Sequence, residues 1–130
     1  SLPLGVGSAL PRLVVLADGS LLLSGGRPNH QSEDSIIWYN NGDAEEWEPY
    51  SLSYEHNCRL GCANRSVPCY ADWSCCFFDN RINSSTFPRE STSYTSLVRT
   101  GPTSALVVYN QWLHHNGNMW RAFGMRIDCR

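Results

Sequence analysis

Apolar positions cluster along the chain in short runs broken by glycine, asparagine, aspartate and proline, and these runs predict strands. Leu13-Val14-Val15-Leu16-Ala17 faces Ser20-Leu21-Leu22-Leu23 across Asp18-Gly19, the dipeptide that a two-residue type I′ hairpin favours. Gly25-Gly26 ends that run, and Ser35 to Tyr39 reads as a β-branched and aromatic strand. The turn cluster Asn40-Asn41-Gly42-Asp43 follows, then Glu46-Trp47-Glu48-Pro49. Later, Ser96-Leu97-Val98-Arg99 leads through Gly101-Pro102 into Ala105-Leu106-Val107-Val108-Tyr109. A last hairpin is expected around Asn116-Gly117, with Met119 to Asp128 as the closing strand. No window carries a capped helical period, so the expected class is all-β and antiparallel.

The pattern LVVLADGSLLLS at 13 to 24 is echoed by LVRTGPTSALVVY at 97 to 109, each a strand, a glycine-containing turn and a strand. Taken as a repeat, the two lie two units apart, with the unit between them carrying an insertion. Any two hairpins share that much, so the echo also reads as coincidence.

Composition narrows the setting. The 130 residues have room for one domain, taken as 1–130. The net charge is -2, and the 10 cationic residues are all arginine, a balance that gives no reason to expect a nucleic-acid partner. No apolar run approaches the roughly 20 residues of a membrane span.

Six cysteines change the picture more: Cys58, Cys62, Cys69, Cys75 and Cys76 crowd together, and Cys129 lies next to the last residue. Their spacing lacks the paired C-x2-C pattern of zinc sites, so disulfides are expected and no metal or other cofactor. A bond from Cys129 into the cluster would pin the closing strand. Asn64-Arg65-Ser66 and Asn83-Ser84-Ser85 are acceptor sequences for N-glycosylation at Asn64 and Asn83. Residues 57–92 therefore read as a disulfide-braced, glycosylated insertion, and the compartment as extracellular or cell-surface. The chain begins Ser-Leu-Pro-Leu without a secretion signal, which the same reading places upstream or takes as removed.

The stretch PRLVVLADGSLLLSGGR, followed by an aromatic strand, an Asn/Gly turn and EEWEP, resembles a blade of the sialidase-like (BNR, or Asp-box) β-propellers. The Asp-box reads S-x-D-x-G-x-x-W, and NNGDAEEWEP keeps Gly42 and Trp47 but lacks the serine and has extra residues between them. TSYTSLVRTGPTSALVVYN resembles the hairpin near the end of bacterial-type exo-sialidases, and WRAFGMRID their closing strand. The resemblance covers most of 9–56 and 91–128. It implies antiparallel blades of a six-bladed type of propeller, incomplete within this length, with Trp47 packed in the structure.

The resemblance also implies chemistry. The family cleaves a ketoside whose sugar carries a carboxylate, using a tyrosine nucleophile in place of a second carboxylate. Tyr94 falls where the family places that tyrosine, although a tyrosine anchoring a strand end by its hydroxyl is the plainer reading. Arg27, behind Gly25-Gly26, is the candidate binder of a sugar carboxylate through its forked donors, or else a partner in an ion pair between blades. Arg12 and Arg99 are weaker candidates. On a first-blade reading, Asp34 stands for the acid. Asn110 replaces a glutamate of the family pattern.

Two functions follow as expectations. The first is a secreted, disulfide-braced glycoprotein module with an extracellular structural or glycan-recognising role, part of a filament or coat. Its partners would be the remaining blades, neighbouring subunits or glycans, and Trp38, Trp73, Trp112 and Trp120 would line its surfaces or core. The second is the C-terminal part of an active exo-sialidase with Tyr94 as nucleophile. On the first reading the chain alone is not an enzyme.

Overall fold

The computed structural model describes residues 11–26, 35–60, 76–77, 94–113 and 119–129. They form β1 (Arg12–Val15), β2 (Leu21–Gly26), β3 (Ser35–Asn40), β4 (Glu48–Ser51), α1 (Leu52–Arg59), β5 (Thr95–Arg99), β6 (Ser104–Leu113) and β7 (Met119–Asp128). The strands make two antiparallel meanders, one in the order β1-β2-β3-β4 and one in the order β5-β6-β7. The chain is thus mostly β, as the short apolar runs predict, and the closing strand has the predicted bounds. The turn expected at Asn116-Gly117 lies outside the described residues.

Two local expectations need correction. The first concerns the β1–β2 turn. A type I′ turn would hold Asp18 and Gly19 both at positive φ. Only Gly19 is there, at φ 87°. The Gly19 N–H donates to the Leu16 carbonyl at 3.1 Å, and the Leu16 N–H to the Ser20 carbonyl at 2.9 Å. The loop therefore has three residues, Ala17-Asp18-Gly19, with glycine in the left-handed place such loops require. Asp18 closes it from the side, accepting from the Ser20 N–H at 2.9 Å and the Ser20 hydroxyl at 2.6 Å. Those bonds hold its carboxyl below the ordinary value, the hydroxyl bond contributing most.

The second is α1, which the periodicity does not predict. Ser51 caps it: its side chain accepts from the Tyr54 N–H at 3.1 Å. Glu55 and Arg59, one turn apart, pair at 2.8 Å on its exposed side. The buried side consists of Leu52, Ser53, His56 and Asn57. With a single leucine among four buried positions, no apolar stripe exists to be read.

The core lies between the sheets. Leu22 and Ile37 from the first meander meet Leu97, Val107, Tyr109 and Met125 from the second, with Leu52 and Phe77 beside them. Each fully buried leucine or phenylalanine contributes about 1.5–3 kcal/mol by leaving water. The opposite face of β2 and β3 carries a second cluster, Leu23, Ile36 and Trp38, with Trp47 against it. Trp38, a candidate surface tryptophan in the sequence, is therefore core, at 4% exposure. Because β3 is buried on both faces, it reads as a continuous apolar run rather than an alternating one.

β5 lies against β1 and β2. The echoing hairpins therefore belong to sheets in direct contact, not to units held apart by a third. Their turns meet as well, the Ala17 N–H donating to the Pro102 carbonyl at 2.8 Å.

Candidate functional site

Tyr94 stands immediately before β5 and is 51% exposed. Its surroundings follow from strand register. Thr95, the first residue of β5, donates its buried hydroxyl to the Ser24 hydroxyl of β2 at 2.8 Å. Ser24 in turn pairs with Arg12, the exposed first residue of β1. Arg12 and Tyr94 are thereby brought to one end of the two-sheet pack, where β2 also ends at Gly26. Arg27 and Asp34 lie outside the described residues. Arg99 closes the far end of β5 and donates to the Gly101 carbonyl at 3.0 Å, so it is not part of the Tyr94 end. Asn110 follows Tyr109, whose backbone pairs with Thr95.

The opposite end is built around Asn40. Its Oδ1 accepts from the N–H groups of Gly42 at 2.7 Å and Ala44 at 2.9 Å. Its Nδ2 donates to Asp43 at 2.9 Å and to the Glu46 carbonyl at 2.7 Å. Asn40 is 1% exposed, so one amide satisfies the inside of the whole β3–β4 turn. Trp47 donates to the Ala44 carbonyl at 3.4 Å and packs on the Leu23, Ile36 and Trp38 cluster. Asn40, two residues before Gly42, thus locks this turn. That spacing, Asn-x-Gly, is the signal that singles it out in the sequence.

A buried polar knot forms the third candidate. His56 Nδ1 and the Tyr109 hydroxyl are 2.7 Å apart, with the two side chains 5% and 3% exposed. Phe77 and Phe123 stand edge-on to the imidazole, at 4.8 and 4.5 Å between ring centroids. Burial pushes the Tyr109 phenol well above its ordinary value of 10.0, so it stays protonated. Asn57 pairs with the Phe77 backbone through both ends of its amide, each bond 2.8 Å. Gln111 donates to the Cys76 carbonyl at 3.0 Å. His56 and Asn57 of α1 and Gln111 of β6 thus fix Cys76 and Phe77. The knot is a packing device, and nothing in the apolar pattern points to it.

The cysteines require a correction. Cys76 is buried and disulfide-bonded, but Cys58 and Cys129 are free thiols, so no bond pins the closing strand to the cluster. Cys58 is exposed because α1 buries 52, 53, 56 and 57 and turns 58 away from the sheet. Cys129 continues the β7 edge, its N–H donating to the Thr103 carbonyl at 2.8 Å. The strand end is held by backbone bonds. Cys62, Cys69, Cys75, Asn64 and Asn83 lie outside the described residues.

Among the described residues, no group of three His, Cys, Asp or Glu is placed to hold a metal ion, and no helix is long and apolar enough to cross a membrane. Comparison of the chain with family models, with curated proteins and with solved structures finds no match.

Proposed function

We propose that the chain is a glycan-recognising module of a secreted, glycosylated, sialidase-like propeller, binding an acidic sugar at the end where β1 and β5 begin. The observation that carries this reading is the register path from Arg12 through Ser24 and Thr95 to Tyr94. It puts a permanently charged, forked donor and an exposed phenol at one end of two packed meanders. A guanidinium suits a sugar carboxylate through paired hydrogen bonds, and a tyrosine offers a ring for the sugar's apolar face and a hydroxyl for its edge. The propeller element rests on two further features: the first strand of each meander lies against the other, and the locked turn with Trp47 joins the third and fourth strands. Remaining blades would come from further chain or neighbouring subunits, as in an extracellular filament or coat.

Titration of the protein with sialyllactose and with lactose tests the proposal. Preference for the charged sugar, weakened by Arg12→Ala and by Tyr94→Ala, is expected. Equal affinity for both sugars, or binding indifferent to both substitutions, overturns it.

The exposure of Tyr94 favours a second reading, an exo-sialidase with Tyr94 as nucleophile. No carboxylate of the described residues bonds its hydroxyl, so an activating glutamate would have to come from elsewhere. Release of sialic acid from a fluorogenic sialoside, lost in Tyr94→Phe, would select this reading. Absence of turnover by the complete protein removes it.

A further inference from the structure

The sheets touch along β1, β2 and β5 and part towards β4 and β7, leaving a cleft of about 1010 Å³. Its floor is core: Leu22, Ile37 and Met125. Its walls carry three tyrosines, Tyr39 and Tyr50 from adjacent strands and Tyr54 from α1. Register sets Tyr39 opposite Glu48, while Tyr50 follows two residues on and shares the Glu48 side of β4. Tyr50 and Tyr54 are 55% and 37% exposed, so the cleft is open to solvent along this wall.

The charges in the cleft do not cancel. Three carboxylates line it, those of Glu48, Glu55 and Asp128. Glu55 holds Arg59 at 2.8 Å, and Asp128 holds Arg126 at 3.3 Å. Glu48 has no cation among the described residues and accepts only the Tyr50 hydroxyl, at 2.7 Å. That bond, followed by burial and the charge of Glu48, raises the Tyr50 phenol above its ordinary value of 10.0. The cleft is a partly apolar cavity with three phenol rings and one uncompensated negative charge.

We propose that this cleft binds an organic cation, an ammonium group carried on a small apolar frame, seated among Tyr39, Tyr50 and Tyr54 with Glu48 as its counter-ion. Aromatic rings attract a cation by their quadrupoles, more strongly where water is partly excluded. Glu48 supplies the formal charge. A neutral ligand would leave that charge unanswered, and a carboxylated sugar would be repelled by it. The site is therefore chemically distinct from the Tyr94 end and stands whether or not that end binds a glycan.

Choline is the probe, against its uncharged isostere in which a tert-butyl group replaces the trimethylammonium. Calorimetric titration of the intact chain should give saturable choline binding and at least about tenfold weaker binding of the isostere. Glu48→Gln, at an exposed position on β4, should lose about the same factor with an unchanged unfolding midpoint. Tyr50→Phe keeps the ring, releases Glu48 from its hydroxyl donor and should bind choline at least as tightly. Cys129 also lines the cleft, so bound choline should slow its alkylation by iodoacetamide while leaving Cys58 unaffected. Equal binding of choline and isostere, unchanged binding by Glu48→Gln, or no protection of Cys129 at saturating choline overturns the proposal.

Discussion

Thr95 and Ser24 share a buried hydrogen bond of 2.8 Å between hydroxyls on different sheets, although they lie far apart in the chain. The bond fixes how far β5 slides along β2, and so where Tyr94 stands relative to Arg12. Thr95→Val keeps the shape and removes the donor. It should cost about 1 kcal/mol in urea unfolding, the usual worth of such a bond. Thr95→Ser should recover the bond, though not the methyl packing. If Arg12 and Tyr94 act together on a sugar, Thr95→Val should also weaken that binding without touching either residue.

The Tyr109 phenol makes stability fall in alkali. Burial raises its pKa in the folded chain above the ordinary 10.0, while in the unfolded chain it ionises near that value. Below pH 10 both states hold the proton, and the contribution is fully present. As pH rises beyond 10 the unfolded state loses its proton first, so unfolding becomes progressively more favourable. Urea midpoints should therefore drop above pH 10, and less steeply in Tyr109→Phe. At neutral pH the same variant should cost about 1–2 kcal/mol, because it leaves the buried His56 nitrogen without its 2.7 Å partner.

The short apolar runs made β2, β3, β5 and β6 legible, because each of these strands buries apolar side chains in the core, whereas β4, exposed from Glu48 to Tyr50, carries no such signal. α1 was illegible, because its buried side is mainly polar and is satisfied across long sequence gaps: His56 by Tyr109, and Asn57 by Phe77. A period in hydrophobicity cannot register a helix that docks through amides and an imidazole. The local signs were present in Ser51 as cap and in the Glu55–Arg59 spacing. Tyr94 was legible as a position beside a strand, but its nearness to Arg12 depends on the Thr95–Ser24 bond, which only the fold creates. Asp18-Gly19 identified the hairpin yet misplaced its turn by one residue, since glycine suits both loop lengths.

Gly19 and Gly42 test that turn chemistry. Both have positive φ, 87° and 111°, so a side chain at either is strained. At Gly19 an added Cβ meets nothing within 4 Å, so Gly19→Ala should cost only the conformational penalty, about 1 kcal/mol. At Gly42 the Cβ would stand 2.9 Å from the Gly19 carbonyl oxygen, a backbone atom that cannot swing aside. Gly42→Ala should therefore cost about 2–3 kcal/mol. The difference between the two midpoints reports the contact between the β1–β2 and β3–β4 turns. Equal costs would mean that the turns are not in contact in solution.

The two free thiols differ in environment, and that difference is measurable. Cys58 projects from α1 into solvent, whereas Cys129 is half-buried and its thiol is pushed above the ordinary value by burial, then by the charges of Asp18 and Asp128. The thiolate is the reactive species, so a raised pKa and restricted access both slow alkylation. Native protein treated with iodoacetamide at pH 7.5 should label Cys58 first and Cys129 about tenfold more slowly. Mass spectrometry of the digested protein separates the two sites. Raising the pH should narrow the gap, because thiolate forms at Cys129 only in stronger base. A Cys129 that resists labelling until the protein is reduced would instead place it in a disulfide, and β7 would then be held by a covalent bond in addition to its ladder with β6 and the Cys129–Thr103 backbone bond.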